Sequence, residues 1–285
     1  MRMFARMLLL ACCLLGAATH PAARAADEVV GMVLDVQGGG EVIDQGQASR
    51  LQLLGYLKRG AQLRLDAGAR ASVSHYGARL IYQLNGPLLA QVDAAALRVL
   101  KGAAPGTKSM AEKLVQAALG ANTGPAAYKM RGAMQELVLL GPRNGSVVLG
   151  TRPSFRWESS EPATYQLSLE SADGKPLWQI KTDNPGWQPA DGQALASGQG
   201  YRWRVSYTSA VDGVQHSATA QFSVVDEAER ASLAALRPGA DAGVDELVLY
   251  ATLLHNRQMI DDARLVWAEI AARRPDLSKA GSLAR

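Results

Sequence analysis

The chain has 285 residues, of which 48% are hydrophobic and 20% are charged, so it can bury a sizeable core and is long enough for two or more domains. Its 30 Lys and Arg residues against 26 Asp and Glu residues give a formal net charge of only +4, with no clustered basic run. This pattern argues against nucleic acid as a partner, which needs a basic stripe, and against an anionic membrane surface.

The first 25 residues have the three parts of a secretory signal peptide. Arg2 and Arg6 precede an apolar run over residues 7–18, and Ala23-Arg24-Ala25 is a cleavage site of the A-x-A type. The apolar run is shorter than the roughly 20 residues that span a bilayer, and no later segment reaches that length. We therefore expect cleavage after Ala25, a periplasmic or secreted location, and a mature chain without an integral membrane segment.

Cleavage would also change the chemistry that the chain can offer. Removing 25 of the 285 residues leaves 260 and takes away Cys12 and Cys13, which are the two cysteines of the chain. Three arginines leave with no acidic residue, so the net charge falls from +4 to +1. The predicted mature chain thus has no disulfide, thiolate metal site or cysteine nucleophile. The alternative is a lipoprotein modified at Cys12, because Leu9-Leu10-Ala11-Cys12 resembles a lipobox.

Residues 26–102 are predicted to form an all-β domain. Short apolar segments are separated by Gly38-Gly39-Gly40, by Asp66-Ala67-Gly68 and by Asn85-Gly86, which is a typical hairpin turn. Residues 69–74 alternate small or apolar with polar side chains, which is the period of a strand with one buried face. About seven strands result, with too many turns for a parallel α/β sheet.

The glycine and aliphatic spacing of this region resembles that of the FecR domain. The matching residues are Gly31, Val33, Val36, Gly38, Leu57, Gly60, Leu63, Tyr76, Gly77, Ala78 and Leu80. The resemblance implies a periplasmic all-β module, best known from transducers that relay receptor occupancy to a sigma factor. Ala61 departs from the acidic residue usual after the Gly60 position, and the cytoplasmic helices and membrane span of those transducers are missing. The expectation therefore covers the fold and its extracytoplasmic setting, not the relay.

Residues 103–134 are predicted to be a linker that contains one short helix, around residues 110–119. Met110, Leu114 and Ala118 fall at helical spacing within a segment bracketed by glycine and proline. Because so short a helix is not stable alone in water, we expect it to dock on a neighbouring domain.

Residues 135–225 are predicted to form a β-sandwich. Strand-like segments recur along it, and Asp173-Gly174 and Asp212-Gly213 are typical of hairpin turns. The segment is similar to a fibronectin type III domain in two respects, which are the position of Trp157 and the spacing from Leu195 to Tyr201. The resemblance implies a buried Trp157 and a tyrosine corner, in which the Tyr201 hydroxyl ties a strand to the preceding loop.

Residues 226–285 are predicted to be helical, with a lead-in over residues 226–236 and two amphipathic stretches over 244–255 and 259–273. Ala251, Ala263, Trp267 and Pro275 have a spacing similar to that of the tetratricopeptide (TPR) unit. One helix pair cannot bury its own apolar face. It therefore packs on the sandwich, which we favour, or completes a groove with a partner.

The sequence predicts no catalytic, cofactor-binding or metal-binding residues. The mature chain has His75, His216 and His255, none at the spacing of zinc ligands, and it lacks a nucleophile elbow and a P-loop. Asp261 and Asp262 stand at a predicted helix start, where backbone N–H groups favour carboxylates. We therefore expect a protein that is not an enzyme and binds no cofactor.

Four of the five tryptophans lie in the predicted sandwich. Trp157 and Trp203 are in phase with other apolar strand residues, which predicts core positions. Trp178 and Trp187 lie near turns and are the candidate binding residues, since an exposed tryptophan can stack on a sugar ring or anchor a protein. The alternative is that Trp187 only covers one end of the sandwich.

These features together predict a mainly β fold, with a FecR-like domain, a fibronectin-like sandwich and a short helical C-terminal segment. All three are fold types that commonly present surfaces to partners. We expect a non-enzymatic exported interaction or scaffold protein of the bacterial envelope, with an envelope protein as its partner and signalling as one such role. The alternative function is glycan or peptidoglycan binding through Trp178 and Trp187.

Overall fold

The computed structural model describes residues 28–112, 114–115 and 137–284. The fold is mainly β, as predicted, with 42% strand against 20% helix and a C-terminal segment of four helices. The predicted signal peptide, including Ala23, Ala25 and the alternative lipidation residue Cys12, lies outside the described residues, as does most of the predicted linker. Among the residues described, no helix is long and apolar enough to cross a membrane.

The first part of the chain forms two five-stranded antiparallel sheets. Its strands are β1 (Val29–Gln37), β2 (Gly40–Asp44), β3 (Gln47–Arg50), β4 (Tyr56–Lys58), β5 (Gln62–Leu65), β6 (Arg70–His75), β7 (Leu80–Asn85), β8 (Leu88–Val92), β9 (Leu97–Lys101) and β10 (Gly106–Ser109). Sheet A has the order β10-β7-β6-β1-β4, and sheet B has the order β3-β2-β5-β8-β9. Their facing side chains form one core, which includes Val33, Leu63, Val73 and Ala90.

The connection after β7 corrects one prediction. Asn85-Gly86 is not a hairpin turn, because β7 belongs to sheet A and β8 to sheet B. The chain crosses from one sheet to the other here, and the Gly86 N–H donates to the Ala69 carbonyl at 2.8 Å. A Cβ at Gly86 would lie 1.8 Å from the Asp66 carbonyl oxygen. Glycine is therefore required for a close backbone approach rather than for a hairpin.

Strand β10 was not predicted, because it lies within the segment expected to be linker. Its four residues are polar or small and mostly exposed, so they lack the alternation that indicates a strand. The strand forms by pairing with β7 at the edge of sheet A.

The second part of the chain is a sandwich of a three-stranded and a five-stranded sheet. Its strands are β11 (Leu137–Gly141), β12 (Ser146–Val148), β13 (Phe155–Ser159), β14 (Tyr165–Ser171), β15 (Pro176–Thr182), β16 (Gly186–Trp187), β17 (Gly200–Thr208) and β18 (Gln215–Val224). Sheet C has the order β11-β13-β16, and sheet D has the order β12-β18-β17-β14-β15, in which β12 is parallel to β18. The predicted hairpins at Asp173-Gly174 and Asp212-Gly213 are confirmed.

The sandwich core is aromatic, as its sequence indicates. Trp157 and Trp203 are buried, and the Trp203 indole N–H donates to the Pro142 carbonyl at 2.9 Å. The hydroxyl of Tyr201 accepts from the Ala196 N–H at 2.8 Å and lies 3.1 Å from the Ala196 carbonyl oxygen. This contact, five residues upstream of the tyrosine, is the one that the tyrosine-corner spacing predicts.

Four helices follow: α1 (Glu227–Leu236), α2 (Val244–Asn256), α3 (Ile260–Arg273) and α4 (Ser278–Leu283). Asp226 caps α1 by accepting from the Glu229 N–H at 2.8 Å. Ala251 and Ala263 are fully buried in the helix pair α2–α3. The fourth helix was not predicted.

The helices pack on both β units through a shared hydrophobic cluster, which we call the junction core. It contains Met32 and Leu34 of β1, Val225 at the end of the sandwich, and apolar side chains of the helices such as Tyr250 and Trp267. The described start of the predicted short helix joins it through Met110 and Val115. The favoured prediction placed the helix pair on the sandwich, and the structure shows that the helices pack on the first β unit as well. Strand β1 is in fact covered on both faces, by sheet B and by the helices.

Polar contacts reinforce both sides of this junction. The Arg274 guanidinium donates to the Asp35 carboxylate at 2.5 Å and to the Val36 carbonyl at 2.9 Å, both on β1. On the other side, Arg230 of α1 donates to the Leu149 carbonyl at 3.0 Å and to the Ser197 hydroxyl at 2.8 Å. Each β unit is therefore held to the helices by a guanidinium group as well as by apolar packing.

Candidate functional site

A cleft of about 420 Å³ lies where α3 meets the end of the sandwich. We call it the junction cleft. Its volume falls at the small end of the range usual for ligand sites. The apolar part of its wall comes from the sandwich and from α3, and it includes Pro142, Val148, Pro153, Leu265 and Ala268. Leu265 of α3 is 72% exposed, so this apolar side chain is accessible at the mouth of the cleft.

Arginine and aspartate side chains form the polar part of the cleft. Arg156 of β13 and Arg264 of α3 approach the same carboxylate oxygen, Oδ1 of Asp261, at 3.3 Å and 3.5 Å. The side chains of Asp261 and Arg264 are only 21% and 17% exposed. Arg152 lies further out and pairs with the exposed Asp191. The Asp261 carboxylate of α3 thus holds one guanidinium group from the sandwich and one from its own helix.

The positive charges crowd one another at this site. Desolvation lowers the pKa of Arg264, and the neighbouring Arg156 and Arg143 lower it further, against the opposing effect of Asp261. Within the part of the chain that the structure describes, Nε and Nη1 of Arg264 are buried without a hydrogen-bond partner, and so is Oδ2 of Asp261. Two guanidinium groups therefore share one oxygen of Asp261, and polar atoms of both Arg264 and Asp261 remain without a hydrogen-bond partner among the described residues.

Asp262 is directed away from the cleft arginines. Its Oδ2 accepts from the backbone N–H of Leu149, just after β12, at 2.9 Å. Burial raises the pKa of Asp262, and the adjacent Asp261 adds to this, while the Leu149 hydrogen bond opposes it. The aspartates at the start of α3 thus contact the sandwich, whereas the sequence suggested only a role at the helix terminus.

Asp262→Asn should increase the free energy of unfolding at neutral pH. The amide oxygen can still accept from Leu149, and no charge is buried. Because the folded-state pKa is raised, the native carboxyl keeps its proton to higher pH than the unfolded one, so stability falls as the pH rises through that range. In urea unfolding the gain should be absent below about pH 4, where the carboxyl is protonated in both states, and should grow as the pH rises above it. A gain that does not change with pH would contradict this prediction.

Asp262→Ala is the matched control for this prediction. It removes the charge and the acceptor together, which leaves the Leu149 N–H unsatisfied. A loss of about 1–3 kcal/mol is therefore expected in the same measurement.

The predicted binding residues Trp178 and Trp187 lie together at one edge of the sandwich. Trp178 is on β15, the edge strand of sheet D, and Trp187 is on β16, the edge strand of sheet C. Their ring centroids are 4.9 Å apart, and each lies about 6 Å from that of Phe155. Both are partly buried, so they close the gap between the two sheets and leave part of each ring exposed. They are not part of the junction cleft.

The histidines do not come together. His75 is buried, where its Nδ1 accepts from the Ala78 N–H at 3.0 Å and its Nε2 lies 2.8 Å from the Asp93 carbonyl. His216 contacts the ring of Tyr207 on the sandwich. His255 is at the end of α2, where burial lowers its pKa and Arg143 lowers it further. In residues 28–112, 114–115 and 137–284 no group of His, Cys, Asp and Glu side chains could hold a metal ion.

Sequence reasoning missed the arginines of the cleft. Arg156 is the outward residue of an alternating strand, between Phe155 and Trp157, and looks like an ordinary surface position. Arg264 follows Asp261 by three residues, which is typical of a helix-surface ion pair. Arg156 and Asp261 are 105 residues apart, so no local pattern links them.

No family model matches the sequence, and a search of curated proteins finds no match.

Proposed function

We propose that the chain is an exported, non-enzymatic interaction or scaffold protein of the bacterial envelope, and that its partner binds in the junction cleft. The observation that carries this proposal is that one cleft is lined by both the sandwich and the C-terminal helices. The junction core and buried polar contacts hold these two parts together. A partner seated there would touch β13 and α3 at once. Export rests on the signal-peptide pattern, and the extracytoplasmic setting on the resemblance to the FecR domain.

Several features support a binding role for the cleft. Arg156 and Leu265 are accessible and offer a charged and an apolar contact from opposite walls. Arginine and large apolar side chains supply much of the binding energy in protein interfaces. Not every apolar residue at this site is buried in the protein's own core, since Leu265 is exposed while Trp267 of the same helix is buried.

Cross-linking and affinity capture from envelope extracts test this proposal. The full mature chain should recover a specific partner, and the double variant Arg156→Glu with Leu265→Asp should lose it. Leu177→Asp serves as the control, because Leu177 is a partly exposed residue of β15 that does not line the cleft. Thermal unfolding verifies that each variant is folded. Recovery of the same proteins by all three chains, or of none by the unaltered chain, would refute the proposal.

The tryptophan pair supports glycan or peptidoglycan binding as the second candidate. Two adjacent, partly exposed indole rings offer a surface on which a sugar can stack. Passing the same proteins over cell-wall sacculi separates the two candidates. Retention that Trp187→Ala abolishes, and that the cleft variant does not change, would favour the glycan function.

A further inference from the structure

We propose that the junction cleft binds the C-terminal carboxylate of an apolar peptide segment, with Arg156 and Arg264 as the groups that hold it. This inference rests on the proposed function and names the chemistry of the partner.

The charge of the cleft favours an acidic ligand. The cleft is lined by Arg152, Arg156 and Arg264 and by Asp261 and Asp262, but Arg152 is already paired with Asp191, so the charge argument concerns Arg156 and Arg264. Asp262 is committed to the Leu149 N–H. Asp261 faces both Arg156 and Arg264. The Arg264 guanidinium group also experiences the positive charges of Arg156 and Arg143. An incoming anion would relieve this repulsion.

The number of donors at the site leaves room for a second carboxylate. A guanidinium group has five N–H donors, and a carboxylate has about four acceptor positions. Arg156 and Arg264 share one oxygen of Asp261, so most of their donors are not used by it. Because Nε and Nη1 of Arg264 are buried, the donors open to a ligand are chiefly those of Arg156, whose side chain is 40% exposed. Guanidinium groups bind carboxylates through paired, charge-assisted hydrogen bonds.

The walls of the cleft select an organic acid over a bare inorganic anion. Pro153 and Val148 on the sandwich and Leu265 on α3 give it an apolar lining. The volume of about 420 Å³ exceeds what a single ion needs and suits a few residues at the end of a peptide. In this arrangement Asp261 is a positioning residue, since it holds both arginines in place without touching the ligand.

Fluorescence anisotropy with a labelled tetrapeptide, Ala-Ala-Leu-Leu, tests this inference on the full mature chain. The peptide with a free C-terminal carboxylate should bind. The same peptide with a C-terminal amide should bind more weakly, by a factor of about ten or more. Arg264→Gln and Arg156→Gln should each weaken binding of the free acid about tenfold. Arg204→Gln, at an exposed arginine of β17 outside the cleft, should leave binding unchanged.

Arg156→Gln keeps the experiment decisive if Arg264→Gln fails to fold, because Arg156 is 40% exposed. Equal binding of acid and amide, or no effect of Arg156→Gln, overturns the inference, and so does complete displacement of the peptide by an equal concentration of inorganic phosphate. If neither peptide binds while capture of an envelope protein still depends on the cleft, the carboxylate inference fails and the proposed function stands. If the free acid binds and capture finds no partner, the carboxylate inference stands and the proposed envelope partner is refuted.

Discussion

Trp267→Ala is expected to lower the free energy of unfolding by about 3–5 kcal/mol, which is the usual cost of truncating a buried tryptophan. Trp267 is 2% exposed and lies in the junction core, among side chains from β1, from the helices and from the end of the sandwich. The cavity left by its ring would weaken the packing of the junction core. Urea unfolding followed by circular dichroism measures the loss.

Leu265→Ala is the matched control on the same helix. Leu265 is exposed, so its truncation should change stability by no more than about 0.5 kcal/mol. Trp267→Phe should cost less than Trp267→Ala, because the ring fills most of the space and the Trp267 N–H has no hydrogen-bond partner within the described residues. Similar losses for Trp267→Ala and Leu265→Ala would mean that the junction core does not hold the protein together.

Arg274→Ala is expected to cost about 2–4 kcal/mol, because it removes one partner of a largely buried ion pair. Arg274 contacts Asp35, Val36 and Asp276, and its side chain is only 14% exposed. These contacts raise its pKa, chiefly through Asp276, which marks a strongly held charge. The Asp35 carboxylate would remain at the junction without its guanidinium group.

Two further variants separate charge from geometry at this position. Arg274→Lys keeps the charge but cannot donate to Asp35, Val36 and Asp276 together, so it should recover only part of the loss. Arg50→Ala, at an exposed strand residue, should be neutral. Full recovery by Arg274→Lys would show that the charge matters and the fork of hydrogen bonds does not.

Much of the fold could be predicted because its signals are local. The alternation around Ala71 and Val73, the hairpins at Gly174 and Gly213, and the helix periodicity each need only a few neighbouring residues. The Asn85-Gly86 prediction failed because its residue types suit a hairpin and a crossing between sheets equally well. The choice is made by Asp66 and Ala69, which are distant in sequence.

The candidate site could not be predicted to the same degree. Asp261 and Asp262 attracted attention as a pair, but their partners Arg156 and Leu149 belong to the sandwich more than 100 residues earlier. The cleft arises from how α3 packs against the end of the sandwich, and that packing depends on the burial of apolar side chains that are distant in sequence. No motif encodes that arrangement. The partly buried Trp178 and Trp187 could be singled out from sequence, because aromatic residues near turns are visible without knowledge of tertiary contacts.

The double burial of β1 has a consequence for synthesis. The ribosome makes β1 early, whereas the helices that cover Met32 and Leu34 are made more than 200 residues later, as the separation of 239 residues between Asp35 and Arg274 illustrates. Until then one face of sheet A is an open apolar surface, which invites aggregation and slows folding. Sheet A is therefore expected to reach its final packing only after the C-terminal helices have formed, because they cover Met32 and Leu34.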